Sequence, residues 1–262
     1  KDGDKEVTGT FAWKDGTIKP SAGCYEAEWT FTPATGYEEY ATATGKVTVK
    51  VNKAAAACTA PTANTLTYNG AAQALIAAGS TADGEMQYSL TENGAYSTAI
   101  PTGTDAGTYT VWYKVIGDRN HSDTAARSVT VELKKLDIAD ADIVLGESLT
   151  YNGAEQTQSI ASVTVDGLSV TYDVTGNTGK DAGDYTLTVT GTGNFTGTVT
   201  KDFTIARKSI ADAKITLGDS LTYNGAEQTQ SIESVTVDDM TVTYDVTGDT
   251  GTDAKTYTMT LT

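Results

Sequence analysis

Apolar residues along this chain tend to recur at every second position. Tyr109, Val111, Tyr113 and Val115 alternate with Thr110, Trp112 and Lys114, and Tyr185, Leu187 and Val189 alternate with Thr186, Thr188 and Thr190. Nearer the start, Tyr25, Ala27, Trp29 and Phe31 alternate with Cys24, Glu26 and Glu28. A period of two is that of a strand with one buried face, because successive side chains leave a pleat on opposite sides. The runs are short and bounded by Gly, Asn or Asp, as in "TQSIASVTV", "LSVTYDVTG", "DYTLTVTGT" and "GTVTKDFTIA". No long stretch has helical periodicity. Regular short strands between turn residues predict an all-β sandwich or barrel.

The pattern repeats. Leu66-Thr67-Tyr68-Asn69-Gly70-Ala71 recurs as Leu149 to Ala154 and as Leu221 to Ala226. The last two copies agree at about three-quarters of positions when Ala139 to Val189 is set against Ala211 to Leu261. A second motif follows each copy: Asp105-Ala106-Gly107-Thr108-Tyr109, Asp181-Ala182-Gly183-Asp184-Tyr185 and Asp253-Ala254-Lys255-Thr256-Tyr257, with a weaker form at Ser21-Ala22-Gly23-Cys24-Tyr25. A period of roughly 70 to 80 residues exceeds that of solenoids and propeller blades and suits small units with their own cores. The expectation is four tandem immunoglobulin-like β-sandwich modules arranged as an elongated rod, over residues 1–53, 54–135, 136–208 and 209–262. The junctions "VNKAAAACTA", "ELKKLDIADA" and "IARKSIADAK" lack the Gly/Ser or Pro content of a flexible linker. The first module is expected to be incomplete at its N-terminal side and the fourth at its C-terminal side, as in a fragment of a longer array.

The Asp-Ala-Gly-x-Tyr motif carries the immunoglobulin-like expectation. In that fold a Tyr near the start of strand F turns inward and hydrogen-bonds to the backbone upstream. Tyr25, Tyr109, Tyr185 and Tyr257 are the corner candidates, the last three expected to be buried with satisfied hydroxyls. Asp and Gly before the Tyr suit a tight turn. Lys255 and Ser21 stand at the Gly and Asp positions of two copies, so neither residue is obligatory.

Composition adds limits. Asp and Glu total 34 against 18 Lys and Arg, a formal charge of −16. That sign repels phosphate backbones and anionic bilayers, which argues against nucleic acid as a partner. No apolar run approaches the roughly 20 residues of a spanning helix, so no membrane insertion is expected of this segment. Two cysteines, Cys24 and Cys58, are too few for a disulfide scaffold and lack metal-site spacing.

The "YNG" near a module's start, "DAGDYTLTVTGTGNFTGTVTKDFTIARK" at its end and Lys at the junction resemble the MBG-type bacterial immunoglobulin-like repeats of multi-module surface and secreted proteins. Modules two to four carry the resemblance; "GTFAW" and "YEAEWTFTP" in module one look like a sister repeat. The resemblance implies an extracellular or cell-surface location and a β-sandwich spacer or adhesin-like stalk.

Catalytic signatures are missing. There is one histidine, His121, in "GDRNHSD", and it reads as a solvated loop residue. No G-x-S-x-G elbow, H-E-x-x-H helix or P-loop is present. Asp140 and Asp142, or Asp238 and Asp239, are close enough in sequence to suggest Ca²⁺. Lys214 at the position of Asp142 in the next module disfavours a generic site, and no cofactor is expected. Among Lys180, Lys201 and Asp142, none recurs in a form that would mark an isopeptide crosslink. Asn120-His121-Ser122 and Asn194-Phe195-Thr196 match the glycosylation acceptor pattern, which carries no weight in a bacterial protein. Alternation turns Trp29 inward and groups Trp13 with Phe11 as buried, but leaves Trp112 outward as a candidate glycan contact. The expected function is therefore a non-catalytic structural spacer. The alternative is a module binding carbohydrate or a host surface protein.

Overall fold

The computed structural model describes residues 6–262. Every regular element among them is a strand, so the chain is all-β. The described residues form two compact units. One runs to Leu136 and includes Gly193–Phe195; the other comprises Asp137–Thr192 and Thr196–Thr262.

In the first unit, the first repeat is a single antiparallel sheet of Gly9–Trp13, Gly23–Pro33 and Ala43–Val51, with Gly23–Pro33 in the middle. Its register sets Phe11 against Phe31 and Trp13 against Trp29, so these rings share one face, as alternation requires. Burial does not follow. Phe11 is 71% exposed and Trp13 54%, against the expectation that both lie inside. Among the described residues no second layer covers this face, and a period of two reports which side a residue takes, not whether that side is covered.

The second repeat has a four-stranded sheet in the order Leu66–Thr67, Arg127–Lys134, Gly107–Gly117, Gly84–Ser89. The first two strands are parallel and the others antiparallel. Short pairs, Thr62–Ala63 with Ile76–Ala77 and Gln73–Ala74 with Thr102–Gly103, bring in the rest of the repeat. Leu75, Ile76, Tyr88, Val111, Tyr113 and Val131 form the core. This is the burial that the alternation of Val111, Tyr113 and Val115 predicts.

In the second unit the same sheet order returns: Leu149–Thr150, Thr198–Ala206, Gly183–Gly191, Tyr172–Thr175, again with the first pair parallel. Leu187, Val189, Phe203 and Ile205 are buried on it, together with Ile143 and Val163 of the neighbouring three-stranded sheet. The fourth repeat keeps the three-stranded sheet Lys214–Leu217, Ile232–Val237, Met240–Thr241. Its Leu221 and Tyr223 are 48% and 65% exposed.

The Tyr-Asn-Gly-Ala motif has a local cause. Asn69, Asn152 and Asn224 each accept the N–H two residues on, from Ala71, Ala154 and Ala226, at 2.9–3.0 Å. The Gln two residues further (Gln73, Gln156, Gln228) donates back to the carbonyl of Thr67, Thr150 or Thr222. An Asx turn thus starts the loop and a glutamine clamp closes it.

Candidate functional site

Two small constructions recur from repeat to repeat. The first is the tyrosine corner. Strand pairing aims Tyr109 and Tyr185 back across the preceding turn, where their hydroxyls donate to the carbonyls of Asp105 and Asp181 at 2.7 and 2.8 Å. Tyr257 reverses the polarity: its hydroxyl accepts the Asp253 N–H at 3.0 Å. The hydroxyl of Tyr25 makes no hydrogen bond among the described residues. Tyr25, Tyr109 and Tyr185 are half-buried and Tyr257 is 39% exposed, so the burial expected of Tyr109, Tyr185 and Tyr257 is only partial. The ring lies over the turn at the sheet's end, with its hydroxyl at the surface.

The glycine that matters in the corner is not the one in Asp-Ala-Gly. A Cβ at Gly107 or Gly183 would meet open space, which explains why Lys255 is accepted at that position. Two residues before the Asp stands another glycine, Gly103, Gly179 or Gly251, and its Cα faces the tyrosine ring. A Cβ at Gly103 would lie 2.8 Å from Tyr109 Cζ, and one at Gly179 2.5 Å from Tyr185 Cζ. The working motif is therefore Gly-x-Asp-Ala-x-x-Tyr. Lys19 occupies the glycine position before Tyr25, and that copy has no corner bond.

The second construction is a clasp made by an asparagine at a hairpin tip. Asn120 Oδ1 accepts the N–H of Ala22 at 3.0 Å, and the Asn120 carbonyl accepts the N–H of Ala54 at 2.8 Å. Asn194 does the same for the next repeat. Its Oδ1 accepts the N–H of Ala106 at 2.8 Å, its Nδ2 donates to Asp105 Oδ1 at 2.9 Å, and its carbonyl accepts the N–H of Leu136 at 3.0 Å. Ala22 and Ala106 are the alanines of the corner motif. Each clasp thus ties one side-chain amide to the corner turn of one repeat and to the segment leading out of it. Aromatic rings follow both asparagines. Phe195 is 3% exposed and meets Tyr68 edge-on at 5.4 Å.

His121 takes the corresponding place in the first clasp and, where a solvated loop residue was expected, lies in a short strand with its ring partly covered. It is half-buried, with Nδ1 2.8 Å from Asp118 Oδ1 and Nε2 3.5 Å from Asp83 Oδ1. Its strand, His121–Ser122, runs parallel to Ala54–Ala55. Lys53 Nζ donates to the carbonyls of Asp118 and His121 at 2.8 and 3.1 Å. The Asp118 carboxylate accepts the His121 ring N–H and the backbone N–H groups of Asn120 and His121. These bonds, the His121 side chain foremost, hold its carboxyl below the usual carboxylate range.

Trp112 is half-buried and paired across the sheet with Ser128 and Ser89. Asp140 lies in a turn and Asp142 opens a strand. Asp238 and Asp239 form a hairpin turn with φ of 48° and 64°. Among the described residues no three His, Cys, Asp or Glu side chains converge as a cation site. Cys24 is exposed, Cys58 half-buried, and both are free thiols. In the first repeat a cleft of about 740 Å³ is lined by Trp13, Lys14, Asp15, Glu26, Glu28 and Lys46 among others.

The Asp-Ala-Gly-x-Tyr motif marks the tyrosine corner, but neither the glycine that the ring needs nor the asparagine clasp is visible from single motifs. The asparagines stand inside glycosylation-like tripeptides, and the corner glycines lie outside the five residues that catch the eye. The available signal was the common offset of each glycine, six residues before its tyrosine. No protein-family model matches the chain, and no curated protein matches it significantly.

Proposed function

We propose that the chain is a non-catalytic spacer: a segment of a tandem array of immunoglobulin-like modules, of the MBG type, in a bacterial cell-surface or secreted protein. The observation that carries the reading is the asparagine clasp. A chain whose repeats were merely strung together would have no use for one geometry built twice, at Ala22 with Asn120 and at Ala106 with Asn194. A parallel first-to-last strand pair in each complete repeat, as in immunoglobulin-like sheets, supports the module type. Backbone ¹⁵N relaxation tests the spacer reading. The first and second repeats should share one rotational correlation time, and Asn120→Ala should separate them. Independent tumbling in the unmodified chain would sink it.

The second reading, glycan binding, moves from Trp112 to the first repeat. Exposed Phe11 and Trp13 offer ring faces beside the charged side chains of Lys14, Glu28 and Lys46, a combination suited to sugar rings and hydroxyls. A glycan array with Trp13→Ala and Trp112→Ala as paired controls checks it. Retention of every signal by Trp13→Ala would remove it.

A further inference from the structure

The clasp has two sides, and one socket side is open. In the filled copies the socket consists of the corner alanine N–H, the backbone of the exit segment and, in the second copy, a tyrosine shelf. The residues are Ala22 and Ala54 in the first copy, and Ala106, Leu136 and Tyr68 in the second. The third repeat has every socket part at the aligned position: Ala182 in Asp181-Ala182-Gly183, Lys208 in the exit segment, and Tyr151 of the Tyr-Asn-Gly motif.

Here the parts surround space. Tyr151, Asp181, Ala182, Arg207, Lys208 and Ile210 line a cleft of about 650 Å³, within the range of small binding clefts. Ala22 and Ala106 are half-buried under their tips, whereas Ala182 is exposed. Among the described residues nothing accepts the N–H of Ala182, Lys208 or Ile210. The aligned N–H groups of Leu136 and Ile138 are both taken, by the carbonyls of Asn194 and Thr196.

We infer that this cleft is a receptor for a protein hairpin tip bearing asparagine followed by an aromatic residue, the chemistry that Asn194 and Phe195 present. The tip's Asn Oδ1 accepts the Ala182 N–H and its Nδ2 donates to the Asp181 carboxylate. Its carbonyl accepts the Lys208 N–H, and its aromatic ring packs edge-on against Tyr151. The added backbone pairs with the open edge at 208–210, a short case of strand addition. The spacer reading bears only on where such a tip would come from; the socket itself stands on the two filled copies.

A cyclised peptide of residues 190–198 is the probe, titrated into the full ¹⁵N-labelled chain. Saturable shifts at the Ala182, Lys208 and Ile210 amides are expected. The same peptide with Asn194→Ala should bind weaker by about tenfold or more, as loss of two hydrogen bonds implies. The peptide variants leave the chain intact, so misfolding cannot mimic the result. Absence of saturable shifts, equal binding by the alanine peptide, or shifts confined to other residues would each overturn the inference. So would concentration-dependent shifts at these amides without peptide, which would name a second copy as the occupant. Failure here leaves the relaxation test of the spacer reading untouched.

Discussion

Tyr185 and Gly179 form a matched pair in which each explains the other. The ring can reach the Asp181 carbonyl because position 179 has no side chain in its path. Tyr185→Phe removes one half-exposed hydrogen bond and should cost about 1 kcal/mol. Gly179→Ala must displace the ring itself and should cost more, about 1–3 kcal/mol, the range for overpacking. Chemical denaturation of both variants checks the order; equal costs would mean that the ring has room to move. Lys19 before Tyr25 is the natural version of the second change.

At the level of the element, turns decide what strands inherit. The hairpin joining Ile160–Val165 to Leu168–Ser169 turns on Asp166 and Gly167, at φ of 49° and 78°. Such left-handed pairs match the twist of the flanking strands. The equivalent hairpin of the fourth repeat carries Asp239 at φ 64° where the third has glycine. Left-handed backbone costs a residue with a Cβ more than glycine, so Asp239→Gly should stabilise the fourth repeat by up to about 1 kcal/mol. A lowered melting temperature would refute this. The tip 118–121 is a second such element, and its stability depends on acid. Because the Asp118 carboxyl titrates below its ordinary range when folded, its contribution is complete above the ordinary carboxylate pKa of about 4. It is lost as pH falls through the lower, folded value. Exchange at the Ala22 and Ala54 amides should therefore accelerate below that range, after correction for intrinsic rates, and Asp118→Asn should abolish the pH step. The strands flanking these turns were legible from alternation, since Val111, Tyr113, Leu187 and Val189 point where a period of two puts them. The clasps were not legible, because Asn120 and Ala22 lie 98 residues apart and Asn194 and Ala106 lie 88 apart. Contacts at that range are set by the tertiary fold and leave no local period.

For the molecule as a whole, coverage separates the repeats. The second and third bury Val111, Val115, Leu187 and Val189 completely. The first presents Phe11 and Trp13 and the fourth presents Leu221 and Tyr223 to solvent. Alternation predicts the same kind of strand in all four, and it reports a strand's apolar face without reporting whether a second layer covers that face. Local stability follows buried apolar contact. Native-state hydrogen exchange should be slowest in Gly107–Gly117 and Gly183–Gly191 and clearly faster in Ile232–Val237. Uniform protection would show that one cooperative unit spans the chain. The charge of −16 is carried largely by exposed side chains and favours solubility over any role in the fold.

The seating of Asn120 and Asn194 has a practical consequence for how this protein is produced. Both lie in Asn-x-Ser/Thr tripeptides, and each side-chain amide is already committed to an alanine N–H. A eukaryotic secretory host would attach an oligosaccharide to those nitrogens before the tips seat. The sugar would then stand where the corner turn must approach, and the Asn194 bond to Asp105 would lose a donor hydrogen. Material secreted from yeast or mammalian cells should therefore differ in fold from the bacterial product, and Ser122→Ala with Thr196→Ala should restore it.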